Sequence, residues 1–382
     1  MKIRHVSIFM PRNTLWYQGV ARQIARGFRA FDIEVSFHCG LLDEADLLQW
    51  INNYNPQLIF EMNRPRGDIS FLPRHIVHIC WVVDFNGRPI TDFNGSDITY
   101  LFGPKWIEKF PFNSFYRWFG PGACEQEYFP EACEFKYQSS FIGHIPRPWS
   151  PGELSRNISS NDKRLLFSEV LPELEKNFIE FKSRLKIPED YVDILYDIAE
   201  NVFGSEVVLD NVLKYDLSGR LIRLLNRQQL LDKILDITNL AIFGPANWLE
   251  WPNYKNCYHR FLETSEEMRW VYCRSRFNFH ENGNGMHFRV MDCMASGGLI
   301  FIPKGEYDDR TGGIKNFFMS DKHYVEFDIG DLEDKYQFYV NNPRQAQKIR
   351  YSAAVIIREN HTWTHRVKSI LDDLMYLGYK IG

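Results

Sequence analysis

Residues 276–302 read RFNFHENGNGMHFRVMDCMASGGLIFI. Arg276 to His280 is a short apolar-rich run of strand type. Glu281 to Gly285 carries two glycines and two asparagines, residues that tolerate positive φ, so it reads as a turn. From Met286 to Met294 the apolar side chains of Met286, Val290 and Met294 recur at helical spacing. Ala295-Ser296-Gly297-Gly298 ends that helix, and Leu299 to Ile302 is a second buried-type strand. The order strand, loop, helix, strand is one unit of a parallel sheet. Its polar residues gather where the first strand ends and the helix begins. That is the edge at which open α/β sheets bind ligands, and a helix N-terminus there attracts anions.

The rest of the chain repeats the alternation. Val6 to Met10, Glu34 to Cys39, Gln57 to Met62 and His75 to Val83 read as strands. The stretches Trp16 to Phe31 and Asp43 to Tyr54 read as helices between them, with Val20, Ile24 and Phe28, then Leu47, Leu48 and Ile51, facing inward. This predicts a doubly wound parallel sheet. Arg12-Asn13, Asn63 to Gly67, and Asp84 with Asn86 follow successive strands and fall at the ligand edge. Each taken singly reads as a solvated loop. Gln138 to Gly143, Asn239 to Gly244 and Tyr324 to Asp328 are further strands. Helices follow over Leu332–Val340, from Pro343 to about Glu359, and again from His361-Thr362-Trp363.

Between the strands at 138 and 239 lies far more chain than a crossover needs. Its pattern is helical, with stripes of Leu174, Phe178, Phe181 and Leu185, then Val192, Leu195, Ile198 and Val202, then Leu221, Leu224, Leu225, Leu230 and Leu231. Pro172 and Pro188 are expected in first turns. This helical insertion, about 150–235, has three readings: packing support, acceptor recognition or self-association.

Bulk composition narrows the class. The 382 residues suffice for two domains, and the balance of 45% hydrophobic and 25% charged residues is globular. A net charge of −4 argues against nucleic-acid binding. No run has the length of a membrane span. Seven cysteines without a C-x-x-C pair point to a reduced, cytoplasmic setting, with association at the inner face of the membrane through a partner left open. His361 and His365 share a helical face but have no acidic or cysteine partner at ligand spacing, so no metal is expected. There is no G-x-S-x-G, and Cys293 reads as core.

The central stretch and the chain's end resemble GT-B glycosyltransferases of the retaining group 1 type, most of all the CgeB-like (spore-maturation glycosyltransferase-like) subgroup. The resemblance rests on Asn278-Phe279-His280, on Arg289 to Gly298, and on His361-Thr362-Trp363 with Arg366. Asp292 stands at the family's second acid. Asn284 stands at the first, so the acid pair is broken, and Glu281 is three residues out of frame. Gly120-Pro121-Gly122 to Phe129-Pro130 resembles the stretch that precedes the donor domain.

The resemblance implies an α/β fold of two Rossmann-like, doubly wound domains facing a cleft, with the helical insertion in the second. Expected boundaries are 1–135 for the acceptor-side domain, 136–360 for the nucleotide-sugar domain, and 361–382 for a helix crossing back. It implies transfer of a sugar, with retention of anomeric configuration, from a nucleotide sugar to a glycan, lipid-linked or protein acceptor. His280, Glu281 and Asn284 would face the sugar. Asp292, Arg289, Gly285, Arg147, Arg12 and His361 would hold the nucleotide. A fixed carboxylate such as Asp292 can accept from both ribose hydroxyls, and a helix N-terminus with Arg289 can meet the diphosphate. A catalytically silent relative that binds nucleotide sugar or glycan is the alternative. For His280 and Arg289 the plain readings are a hydrogen-bonded strand-end histidine and a surface cation.

Overall fold

The structure, a computed structural model, describes residues 2–85, 87–159, 164–181, 188–209, 211–281 and 283–382. Asn86 and Leu185, both singled out above, lie outside the described residues, as do the side chains of Phe181 and Val192. The chain forms two compact units, residues 1–140 with 262–382, and residues 141–261.

In chain order the first stretch runs β1 (Lys2–Ile3), β2 (His5–Met10), α1 (Leu15–Arg29), β3 (Glu34–Cys39), α2 (Glu44–Tyr54), β4 (Leu58–Met62), β5 (Val77–Val82), β6 (Ile98–Leu101), α3 (Pro104–Ile107) and β7 (Phe115–Trp118). β2 to β7 form a six-stranded sheet in the order β3-β2-β4-β5-β6-β7, every pair parallel. The helix α1 starts at Thr14, whose hydroxyl accepts from the Tyr17 amide. It buries Val20, Ile24 and Phe28, each contributing roughly 1.5–3 kcal/mol of burial energy as an upper bound. α2 is capped by Asp43 and stops at Asn55, which is left-handed at φ 46°. The sequence reading missed β6 and β7. Both are four residues long, too short to show a period, and both extend the sheet by pairing with an existing neighbour.

The later elements are β8 (Tyr137–Ile142), α4 (Pro151–Leu154), α5 (Phe167–Phe181), α6 (Pro188–Phe203), α7 (Asn211–Tyr215), α8 (Ile222–Ile237), β9 (Leu240–Phe243), β10 (Tyr258–Arg260), α9 (Ser265–Arg274), β11 (Ser275–Phe279), α10 (Phe288–Ala295), β12 (Ile300–Pro303), β13 (Val325–Phe327), α11 (Leu332–Asn341), α12 (Pro343–Asn360), α13 (Trp363–Tyr376) and β14 (Lys380–Ile381). A second six-stranded parallel sheet has the order β10-β9-β8-β11-β12-β13.

Within 150–235 the described residues include the helices α4 to α8, and α5 to α7 share a core of their own that includes Phe167, Leu174, Phe178, Leu195 and Ile198. Two expectations fail here. Pro172 is not in a first turn but sits inside α5, because the helix begins earlier, where the Glu169 carboxylate caps the Leu166 amide. Its missing N–H leaves the carbonyl of Ser168 without its helical donor. Val202 is 59% exposed rather than inward, while its neighbours Ala199 and Phe203 keep the core side of the last turn of α6.

In the first unit α13 lies against α1. A Cβ at Gly27 would stand 2.7 Å from the Val367 side chain and 2.9 Å from the Trp363 carbonyl, so the helices touch only because position 27 is glycine. β14 then pairs parallel with β1. Asp373 ties α13 to the first sheet, accepting from the buried Tyr100 hydroxyl at 2.6 Å and from Arg117 at 2.6 Å. Asp373→Ala strands the Tyr100 hydroxyl. A loss of about 1–3 kcal/mol in urea denaturation is expected, against little loss for Arg117→Ala, whose guanidinium is half exposed.

Candidate active site

Residues 280, 281 and 283–287 lie between β11 and α10, and a few hydrogen bonds fix them. The His280 amide donates to Phe301 O at 3.0 Å, which carries the β11–β12 ladder one residue past the strand. Its side chain is buried, with the ring 5.0 Å from that of His287. His287 is the N-cap of α10, its Nδ1 accepting from the Arg289 amide at 3.3 Å. Asn284 closes the turn. Its Oδ1 accepts from the Met286 amide at 3.0 Å, and its Nδ2 donates to Phe102 O at 3.5 Å. At Gly285 a Cβ would meet Ile314 at 2.9 Å, so this glycine permits close packing of the loop at 314. Glu281 is buried beside His280 in sequence.

Asn278, part of the motif that carried the resemblance, is a structural knot. It accepts from the Ser140 hydroxyl at 2.9 Å and donates to Tyr272 O and Leu299 O, joining β8, β11, the end of α9 and the approach to β12. Gly298 lies against it, where a Cβ would stand 2.5 Å from Cys293 Sγ.

Asp292 lies on the second turn of α10 and is buried. Burial pushes its carboxyl well above the usual carboxylate range, and the Glu127 charge adds to this. A hydrogen bond with Tyr128 and the Arg289 cation pull the other way. Burial, then Asp292, raises the Tyr272 hydroxyl in turn. The acid is thus walled by two tyrosines, one ahead of β8 and one from α9. Glu127 is held by Arg26 at 2.5 Å and by Gln23 at 2.7 Å, both from α1.

Phe288, the first residue of α10, is the hub of an aromatic cluster. Phe102 stacks on it at 5.8 Å and 16°, Trp81 lies at 5.8 Å, Trp16 at 5.2 Å and Trp363 at 6.4 Å. These rings come from β5, from the end of β6, from α1 and from α13, so no local pattern could have grouped them. The high aromatic content was the only signal in the sequence.

His361 packs on Phe318 at 4.8 Å, and its Nδ1 lies 3.2 Å from Arg366 Nη2. Burial and the Arg366 cation bring its pKa down to about 3, so the ring is neutral at ordinary pH. Its carbonyl accepts from Ala123, and Trp363 donates back to Ala123 O, which fixes the 120s segment to the start of α13. Arg12 is exposed in the loop after β2. Arg147 belongs to the unit 141–261, where it pairs with Glu250 at 3.1 Å and its carbonyl accepts from Arg220. The structure therefore brings His280, Glu281, Asn284, Gly285, Arg289 and Asp292 together on one loop and helix. His361 sits in a separate buried cluster. Among the described residues there is no group of three or more His, Cys, Asp or Glu able to hold a metal ion, and no helix long and apolar enough to cross a membrane.

Two parallel-sheet α/β domains of this order define the GT-B fold class, and solved structures of that class match along the whole chain. Sucrose-phosphate synthase from Thermosynechococcus elongatus aligns over 98% of this chain and 99% of its own, with a TM-score of 0.60 and 8% identity. HepE of Anabaena in complex with UDP-glucose aligns over 97% and 99%, with a TM-score of 0.55 and 9% identity. A glycosyltransferase from Rickettsia africae aligns over 97% and 98%, at 0.52 and 7%. At these identities the likeness is one of fold. In sequence, residues 223–372 match the family model described as "Glycosyl transferase-like", a span that holds the whole of the loop 280–287 and α10. No curated protein matches the chain.

Proposed function

We propose that the protein is a glycosyltransferase that takes a sugar from a nucleotide donor. The carrying observation is the family match over 223–372, which encloses the loop and helix where the candidate side chains converge. In this reading the α10 N-terminus and Arg289 meet the diphosphate, Asp292 takes the ribose, and His280, Glu281 and Asn284 border the sugar. Gly285 lets the loop close against Ile314, and Arg12, Arg147 and His361 are further nucleotide candidates. The solved HepE complex with UDP-glucose supports a nucleotide-sugar donor. Retention of configuration, the domain boundaries given above and a glycan, lipid-linked or protein acceptor belong to the same proposal. So do self-association through the helical insertion and work at the inner face of a membrane.

Asn284 favours a second reading. It replaces an acid, and both ends of its amide are engaged by Met286 and Phe102. A relative that binds nucleotide sugar without transferring it fits that observation. The test is incubation with UDP-, GDP-, dTDP- and CMP-linked sugars, reading released nucleotide. Release is expected and should survive EDTA, since the sequence has no Asp-x-Asp signature. Binding without release selects the second reading. Loss in EDTA with recovery in Mg²⁺ or Mn²⁺ would refute metal independence.

A further inference from the structure

Trp16 is a large aromatic side chain on the first turn of α1 that the chain leaves 43% exposed. It is not a loose surface ring. The indole lies against Phe288 at 5.2 Å and Tyr17 at 4.7 Å, both near-perpendicular. Phe288 is in turn locked by Phe102 and Trp81. The indole is therefore held in place from behind while part of it remains open to solvent. Gly19, one turn on along the same helix, adds no side chain to that surface, and a Cβ there would meet no atom within 4 Å.

The surroundings select a chemistry. Arg12, Asn13 and Thr14 precede Trp16 and are exposed, and Asn13 is fixed by the Gln18 amide at 2.7 Å. Leu15 is the one apolar neighbour in that exposed run. A rigid indole with a polar, hydrogen-bonding rim matches a pyranose ring. The electron-rich face of the indole attracts the polarised C–H face of the sugar, and the ring hydroxyls meet the rim. A protein or lipid partner would need a broader apolar patch.

The position gives the platform a role. Phe288 opens the helix that the proposed reading assigns to the donor diphosphate, and Trp16 touches Phe288. An acceptor must lie next to the donor sugar for transfer. We infer that Trp16 is a stacking platform for a carbohydrate acceptor, so the acceptor end that enters the site is a pyranose. This rests on the glycosyltransferase reading.

The experiment compares wild type, Trp16→Ala and Trp16→Phe on an array of defined mono- to tetrasaccharides, with soluble titration of the best binder. UDP and GDP binding is measured by calorimetry in parallel. Wild type should bind a subset of the sugars. Trp16→Ala should lose at least about tenfold in sugar affinity, roughly 1.4 kcal/mol. Trp16→Phe should stay within about threefold, and nucleotide affinity and circular dichroism should match wild type in both. Equal sugar binding by Trp16→Ala overturns the inference, as does nucleotide binding with no sugar bound by wild type. Trp16-dependent sugar binding without any nucleotide binding would leave the platform standing and remove the donor reading instead.

Discussion

Replacing Asp292 with asparagine is expected to weaken nucleoside diphosphate binding by about 10- to 1000-fold while raising the melting temperature at alkaline pH. The first half follows from the proposed role. A carboxylate accepting two ribose hydroxyls contributes roughly 1.5–3 kcal/mol per bond, at about 1.4 kcal/mol per decade of affinity. An amide keeps one acceptor and turns the other into a donor. The second half follows from the site. Burial holds the folded-state pKa of Asp292 above its unfolded value. The folded protein thus binds the proton more tightly, and that stability is full below the unfolded pKa, about 3.9, and is lost as pH rises through the folded one. Asparagine never ionises, so its advantage should be largest at high pH and vanish near pH 4. Calorimetry with UDP and GDP, with melting curves between pH 4 and 9, reads both. Unchanged affinity in the variant would mean that the ribose is held elsewhere. A variant that melts lower at every pH would mean that the carboxylate is a net structural anchor.

Arg350→Met should cause the largest loss of stability in the chain's second half. Arg350 is a buried cation of α12 whose guanidinium donates to Gly297 O at 3.0 Å, to Ser275 O at 3.1 Å and to Arg276 O. Burial brings its pKa down to about 10, still well above neutrality. It joins α12 to the start of β11 and the end of α10, the two ends of the unit that carries the candidate site. Methionine fills much of the volume but leaves three carbonyls without a donor, each costing about 1–3 kcal/mol when water cannot replace it. A fall in Tm on the order of 10 °C is expected, with nucleotide affinity reduced in the fraction that stays folded. A Tm within 2 °C of wild type, taken as roughly 1 kcal/mol or less, would show that water reaches those carbonyls.

Much of the architecture was open to reading along the chain. The runs at 276–280 and 299–302 and the helix between them fall within one or two residues of β11, β12 and α10. Apolar periodicity is local, and it names the buried face of each element before any partner is known. Thus Val20, Ile24 and Phe28 point inward as read. The same logic failed where local signal is thin. β6 and β7 carry too few residues for a period, and the start of α5 depends on a side-chain cap rather than on Pro172.

The candidate site divides along the same line. The sequence alone determined that His280, Glu281, Asn284, Arg289 and Asp292 share one loop and helix, since a turn of this length between a strand and a helix allows no other placement. It could not determine what those groups face. The burial of Asp292 comes from Tyr128 and Tyr272, the locking of Phe288 from Trp81, Phe102 and Trp363, and the neutral state of His361 from Phe318 and Arg366. Some of those partners lie more than two hundred residues away along the chain, as Trp81 does from Phe288. Exposure, ionisation and ring stacking depend on the summed field and volume of such neighbours, and only the tertiary structure brings them within reach.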